Sequence, residues 1–203
     1  MKERRQQWEQ AYQGRPLEQL GWYQPDPETS ITLIGGPEEA QPLIDIGCGG
    51  SVLVDRLLEL GFDDITLLDL SPSVLAQVHQ RLKGQHNKVK LIASDLLTQP
   101  LPAGFRCWHD RAVFHFLTEP EEQAIYVKRL KKALLPGGRL VLSGFAPGGP
   151  ERCNGLRTIH HTVQTLQVIL GPDFELRSQL ESVHISPSGG EHPYLHTVWR
   201  KGG

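Results

Sequence analysis

From Pro42 onward, apolar residues along the chain switch repeatedly between two spacings. Short runs dense in β-branched and aliphatic residues, "PLIDI" (42–46), "DITLLDL" (64–70), "KVKLIA" (88–93), "RCWHD" (106–110) and "RLVLSGF" (139–145), have the length of buried strands. Stretches of helical period lie between them. "SVLVDRLLELG" sets Leu53, Val54, Leu57, Leu58 and Leu60 on one face and stops at Gly61. "SPSVLAQVHQRLKG" opens on Ser71-Pro72-Ser73 and closes at Gly84, while "TEPEEQAIYVKRLKKALLPGG" has Thr118 and Glu121 at capping-box spacing and is predicted to run to Pro136-Gly137-Gly138. Each strand followed by a helical stretch predicts a parallel sheet covered on both faces, with ligands at the carboxyl ends of its strands.

The two ends of the chain read differently. "FELRSQLESVHIS" and "PYLHTVWRK" have no helix between them and are joined by "PSGGEH", which predicts an antiparallel hairpin at one sheet edge. The fold class is therefore α/β, doubly wound and Rossmann-like, with a mostly parallel seven-stranded sheet, the C-terminal hairpin antiparallel and helices on both faces. Ahead of it, Trp8, Tyr12, Leu17 and Leu20 are spaced as one apolar helical face, expected to form a lid or outer helix. In "PDPETSITLIGG", Asp26 and Pro27 suit N-cap and first-turn positions and Gly35-Gly36 a stop.

Composition changes this picture little. At 203 residues and 38% hydrophobic, the chain suits one domain with a sizeable core. The 21 basic and 23 acidic residues leave a net charge of −2, so nucleic acid is not the expected partner. Cys48, Cys107 and Cys153 are odd in number and lack metal-ligand spacing, and "MKERRQQWEQ" is not a secretory leader, so a cytoplasmic location is expected. No apolar run approaches the roughly 18 residues of a membrane span.

Chemistry concentrates in "LIDIGCGGS" (43–51). A dinucleotide loop would have a third glycine where this chain has Val52, after Gly47 and Gly49. Asp45, at the strand end, would repel a pyrophosphate, and the loop holds no cation to offset it. The same carboxylate favours a ligand with an ammonium and a sulfonium: opposite charges roughly 4 Å apart attract by about 4 kcal/mol at an effective dielectric of about 20, before desolvation. That sign argument points to S-adenosylmethionine. Asp69 in "LLDLS" ends the next strand, placed for ribose hydroxyls, and Asp95 in "SDLL" ends the third, placed for an adenine amino group with Leu96 against the ring.

With these motifs in order, and "LLPGGRLVLS" after them, residues 42 to 146 resemble the class I S-adenosylmethionine-dependent methyltransferases. The resemblance implies S-adenosylmethionine as cofactor and S-adenosylhomocysteine as product. It implies that Asp45, Gly47 and Gly49 hold the methionine part, Asp69 the ribose, and Asp95 with Leu96 the adenine, with Ser51 and Leu70 also against the cofactor. Ser51 stands where the family pattern has a last glycine. "GWYQ" (21–24) with "WHDRAVFHFL" (108–117) is similar to small bacterial members and to the protein-lysine methyltransferase branch, which implies Trp22 over the cofactor and Tyr23 as a lid residue beside the substrate. The expected organisation is one domain over 1–203: N-terminal helices and lid (1–41), cofactor-binding core (42–146), and acceptor-side loop, helix and hairpin (147–203).

Methyl transfer needs alignment, exclusion of water and, for a protonated acceptor, a base. The fourth strand ends at "HD", which by the geometry of such a fold puts Asp110 and Arg111 beside the transferred methyl group, with Arg111 expected to bind the substrate; Asp110 either orients or deprotonates an acceptor, or pairs with Arg111 and caps the following turn. His115 is a second base candidate or, between Phe114 and Phe116, a packed core residue. Arg152 or Arg157, in the loop after the fifth strand, suits an acceptor carboxylate, and Cys153 there is a lesser candidate nucleophile. His192 and His196 stand four apart but straddle a turn, so no metal is expected. The expected function is methyl transfer to an N, O or S atom of a small molecule, by a monomer or homodimer, without nucleic-acid or membrane partners. Protein-lysine methylation, NAD(P)-dependent oxidoreduction and non-catalytic cofactor binding are the competing readings.

Overall fold

The computed structural model describes residues 2–203, with side chains from Arg4 onward. The N-terminal segment forms α1 (Lys2–Gly14), α2 (Glu28–Ile34) and α3 (Pro37–Ala40). Strands β1 (Leu43–Ile46), β2 (Ile65–Asp69), β3 (Val89–Ala93), β4 (Phe105–Arg111) and β5 (Leu134–Phe145) follow, with α4 (Leu53–Glu59) after β1, α5 (Pro72–Arg81) after β2 and α6 (Pro120–Ala133) after β4. A two-residue ladder of β6 (Arg152–Cys153) and β7 (Leu156–Arg157) precedes α7 (Val163–Leu170), β8 (Phe174–Ile185) and β9 (Glu191–Lys201).

The main sheet has the order β3-β2-β1-β4-β5-β9-β8. Its first five strands are parallel, and β9 runs antiparallel to both β5 and β8. All four side chains of β1 are buried, which fits a strand covered on both faces. Alternate residues then sort into two cores. Ile44, Ile46, Trp108, Leu140 and Leu142 pack with Tyr126, Leu130 and Leu166 of α6 and α7, while Leu43, Ile65, Leu67, Cys107 and Val141 pack with Leu53, Leu57, Leu75 and Val78 of α4 and α5. Trp108 and Tyr126 close the first core with a 2.8 Å hydrogen bond from the indole to the phenol oxygen.

Local structure departs from the sequence reading at five points. The α1 helix stops at Gly14, so Leu17 and Leu20 reach the Tyr12 cluster from a short turn and not from the helix face. Pro27, not Asp26, occupies the N-cap of α2, without a side-chain hydrogen bond. No helix spans 94–104: β3 and β4 are joined by turns whose Leu96, Leu97 and Leu101 pack into the first core instead. The capping box of α6 does not form, because Thr118 Oγ1 donates to the Glu119 side chain and Glu119 takes the cap position. That helix ends at Ala133, since Leu134 already pairs with Phe105 and the Pro-Gly-Gly segment belongs to β5.

Candidate active site

A cavity of about 300 Å³ opens over the carboxyl ends of the strands. Its two halves come from the two halves of the sheet. Ile46 and Gly47 after β1, Leu68, Asp69 and Leu70 at β2, and Ser94 to Leu97 after β3 line one side; Arg111 of β4, Phe145 of β5, Tyr194 of β9 and His184 of β8 line the other. A smaller chamber of about 50 Å³ adjoins it, bounded by Trp22, Tyr23, Ser30, Asp45, the 47–51 loop and His109, with Arg111 on the wall of both.

The glycine loop is built for close approach. Gly47 and Gly49 have φ of +61° and +52°, and a Cβ on Gly49 would lie 2.7 Å from the Tyr12 hydroxyl. Asp69 pins the loop: its Oδ2 accepts from the Gly49 amide at 2.9 Å and its Oδ1 from the Ser71 amide at 2.8 Å. Burial raises the Asp69 carboxyl to about 6 despite those two bonds. From the far side Arg81 donates to the Gly50 and Ser51 carbonyls, and Ser51 Oγ accepts from the Leu53 amide. Asp95 Oδ1 accepts from the Leu97 amide at 2.8 Å, which turns Leu96 and Leu97 toward the cavity wall.

Asp45 has a partner that its sequence context does not disclose. His109 Nδ1 donates to Asp45 Oδ1 at 2.6 Å, and His109 Nε2 meets Ser30 Oγ at 3.0 Å. All three residues are buried. An ionised carboxylate only accepts, so a neutral His109 carries its proton on Nδ1 and takes the Ser30 hydroxyl proton as acceptor.

The α1 helix and the segment after it form a roof. Trp8 packs edge-on against Trp22 at 5.3 Å and Phe116 at 5.2 Å, and Tyr12 packs against Trp22 at 6.1 Å. Arg4 holds Glu122 of α6 through 2.9 and 3.1 Å contacts, and Gln7 Nε2 donates to the Asn154 carbonyl in the β6–β7 turn. Asn154 and Gly155, with φ of +49° and +77°, supply the left-handed turn that presents that carbonyl.

Two expected catalytic residues stand away from the cavity. Asp110 is fully buried; it accepts from Tyr126 Oη at 2.7 Å and from the Val113 and Phe114 amides, and does not line either chamber. The cause is strand parity: β4 continues to Arg111, so Asp110 shares the α6 face with Trp108, and Arg111 takes the cavity face. Burial raises its carboxyl to about 6. His115 is also buried, stacked on Phe145 at 4.4 Å, with Nδ1 accepting from the Phe145 amide and its pKa lowered to about 3 by desolvation. Trp22, Gly47, Asp69, Leu70, Asp95, Leu96, Arg111 and Arg152 do line the larger cavity, whereas Tyr23, Asp45, Gly49 and Ser51 line the smaller chamber. Phe145, His184 and Tyr194 were not singled out from the sequence; they meet only because β9 inserts between β5 and β8. Among the described residues no cluster of His, Cys, Asp or Glu is placed to hold a metal.

The His115 environment has a measurable consequence. A base with a depressed folded pKa binds fewer protons folded than unfolded, so stability present above about pH 6.5 is lost as pH falls toward about 3. Asp69 and Asp110, raised to about 6, act in the opposite direction, but equally in wild type and variant. His115→Asn should therefore lose less stability than wild type between pH 7 and 5, by about 2 kcal/mol, in urea unfolding. Parallel pH slopes for the two proteins would contradict this.

Open α/β sheets bind ligands outside the carboxyl ends of their strands, where this chain sets a glycine turn after β1 and acids at the ends of β2 and β3. Residues 44–140 match the family model described as a methyltransferase domain. The eEF1A lysine and N-terminal methyltransferase of Bos taurus is 25% identical over 155 residues, covering 75% of this chain and 21% of that one. The chain thus spans about a fifth of the length of these curated relatives. A structure from work on conversion of a disulfide into a thioacetal in echinomycin biosynthesis has a TM-score of 0.73 at 18% identity, covering 96% of this chain and 90% of that one. The 1,6-didemethyltoxoflavin-N1-methyltransferase of Burkholderia thailandensis, solved with bound 1,6-didemethyltoxoflavin and S-adenosylhomocysteine, has a TM-score of 0.63 at 26% identity, with 79% of this chain and 71% of that one covered. The matched segment runs from β1 into β5, and the sheet that carries it is shared with methyltransferases solved with S-adenosylhomocysteine.

Proposed function

We propose that the chain transfers a methyl group from S-adenosylmethionine to a small molecule bound in the larger cavity. The roof carries this reading: α1, latched at Arg4–Glu122 and Gln7–Asn154, lies over the strand ends and narrows the space above them to a partly covered cavity of about 300 Å³. The cavity's acids, Asp69 and Asp95, both belong to the β2 and β3 half. Among the described residues the β4–β5–β9–β8 half contributes arginine and histidine and no carboxylate, which disfavours a cationic lysine side chain.

The cofactor supplies an electrophilic methyl group. In this reading Asp45 and the 47–51 loop receive the methionine end, Asp69 and Leu70 the ribose, and Asp95, Leu96 and Leu97 the adenine. The two positive-φ glycines fit that role, since they let the loop backbone approach a ligand without a Cβ in the way. Trp8, Trp22 and Phe116 exclude water from the methyl donor, and the β4–β5–β9–β8 wall holds the acceptor in line with it. Asp110 and His115 are assigned to packing: neither touches the cavity where a proton would move.

Incubating the protein with methyl-labelled S-adenosylmethionine and a fractionated cell extract tests the proposal. Label is expected in the metabolite fraction, and label confined to protein bands would overturn it. Because Trp108 and Trp199 are sealed in the core while Trp8 and Trp22 are only partly buried, S-adenosylhomocysteine should perturb tryptophan fluorescence through the latter pair. A Trp8→Leu, Trp22→Leu double variant should lose that signal; an unchanged signal would remove the roof from contact with the ligand.

A further inference from the structure

We propose that the methyl acceptor is a flat, largely apolar molecule bearing a carboxylate or comparable acidic group, and that Arg111 is the residue that receives the acid. This rests on the reading of the larger cavity as the methyl-transfer chamber and names the substrate class that chamber takes.

Arg111 is unusual among the cations of the site. Arg4 is paired with Glu122, and Arg152 reaches the Gly155 carbonyl from an exposed position. Arg111 forms no ion pair among the described residues. Its Nη1 donates to the Trp22 carbonyl at 3.1 Å, but Nε and Nη2 are buried without any hydrogen-bond partner. The guanidinium lies over the Tyr194 ring at 4.9 Å from its centroid. A stacked aromatic ring offsets part of the desolvation of a cation but offers no acceptor for its N–H donors. A planar guanidinium with free donors matches the two oxygens of a carboxylate.

The position of Arg111 decides whose acid it meets. The β3, β2 and β1 ends provide acids and the glycine loop, matching an adenosine with its methionine tail. Arg111 lies across the central β1–β4 boundary, on the half whose other walls are Phe145, Tyr194 and His184. Phe145 and Tyr194 meet edge to face at 5.1 Å and offer a broad apolar surface next to the guanidinium. A neutral or basic acceptor would leave Arg111 buried and unmatched, whereas an acid on a flat body satisfies both walls together.

The test uses the full chain saturated with S-adenosylhomocysteine. Benzoate, indole-3-acetate and their primary amides are titrated by calorimetry into wild type, Arg111→Gln and Arg111→Lys. Each acid should bind wild type about tenfold or more tightly than its amide, roughly 1.4 kcal/mol. That preference should collapse in Arg111→Gln and survive in part in Arg111→Lys, with S-adenosylhomocysteine affinity within about twofold throughout. Removing an unpaired buried charge should leave Arg111→Gln folded, with an unchanged or higher Tm. Equal binding of acid and amide, or no acid binding at all, overturns the proposal. So does an Arg111→Gln variant that keeps the acid preference while losing S-adenosylhomocysteine affinity, which would assign Arg111 to the cofactor's own carboxylate. Failure of wild type to bind S-adenosylhomocysteine would overturn the reading beneath it.

Discussion

Asp69→Ala is expected to abolish measurable cofactor binding and to lower the stability of the fold at the same time. One carboxylate serves two backbone donors 22 residues apart in sequence, the Gly49 amide in the left-handed loop and the Ser71 amide at the start of α5. Alanine leaves both buried N–H groups unmatched, at about 1–3 kcal/mol each. The loop then loses the clamp that holds Gly49 to β2, although Arg81 still grips its far side, and the acceptor proposed for the ribose hydroxyls is gone. Affinity for S-adenosylhomocysteine should fall by more than about 100-fold, and urea unfolding should show a loss of roughly 3 kcal/mol. Affinity within about threefold of wild type, measured on folded protein, would remove Asp69 from the site.

The second large effect is expected at His109. His109→Leu strips the Nδ1 donor from Asp45 and leaves a buried carboxylate next to a leucine, with Ser30 Oγ unpartnered as well. Breaking a buried charge-assisted pair from one side costs about 3–5 kcal/mol, mostly for the charge left behind. Removing both sides costs much less, so the Asp45→Leu, His109→Leu double variant should be more stable than the sum of the single losses by at least about 1 kcal/mol. Denaturant unfolding of the four proteins measures this directly, and strict additivity would show that the pair does not act as a unit. Calorimetry on Asp45→Asn, which keeps the volume, separates the ligand role: weaker S-adenosylmethionine binding with near-native Tm is the expected result.

These two variants divide what the sequence discloses from what it does not. The strands from Pro42, the helices after β1, β2 and β4, the glycine turn after β1, the acids at the ends of β2 and β3 and the C-terminal hairpin are local patterns that reappear in the structure, while the helix expected after β3 does not form and α6 gives way early to β5. What escaped depends on which strands become neighbours. His109 reaches Asp45 because β1 and β4 pair in a register that sets those residues side by side, and Ser30 joins them from α2. No spacing along the chain carries that information. Asp110 failed for a simpler reason. Reading β4 as ending on Asp110 placed that residue at the strand end beside the acceptor, whereas β4 runs on to Arg111 and period-two alternation from buried Trp108 turns Asp110 into the α6 face. Tyr126 supplies the hydroxyl that satisfies it there. Tyr12 shows a third kind of gap: its spacing with Trp8 signalled an apolar face, but its hydroxyl against Gly49 follows from how α1 crosses the loop.

The Arg4–Glu122 contact ties α1 to α6 at a place where both side chains remain partly exposed, 29% and 25%. Such a pair weakens as ions accumulate around it, over a screening length of about 8 Å at physiological ionic strength. In the proposed arrangement the cofactor lies beneath this helix, and spent donor leaves faster when the helix lifts. Residence time on the protein is therefore tied to the salt around it: S-adenosylhomocysteine should dissociate faster at high ionic strength, and turnover limited by that step should quicken before any loss of fold is seen. Glu122→Gln should show the faster release even at low salt. In that arrangement the helix that covers the chamber also sets how often the chamber can be used.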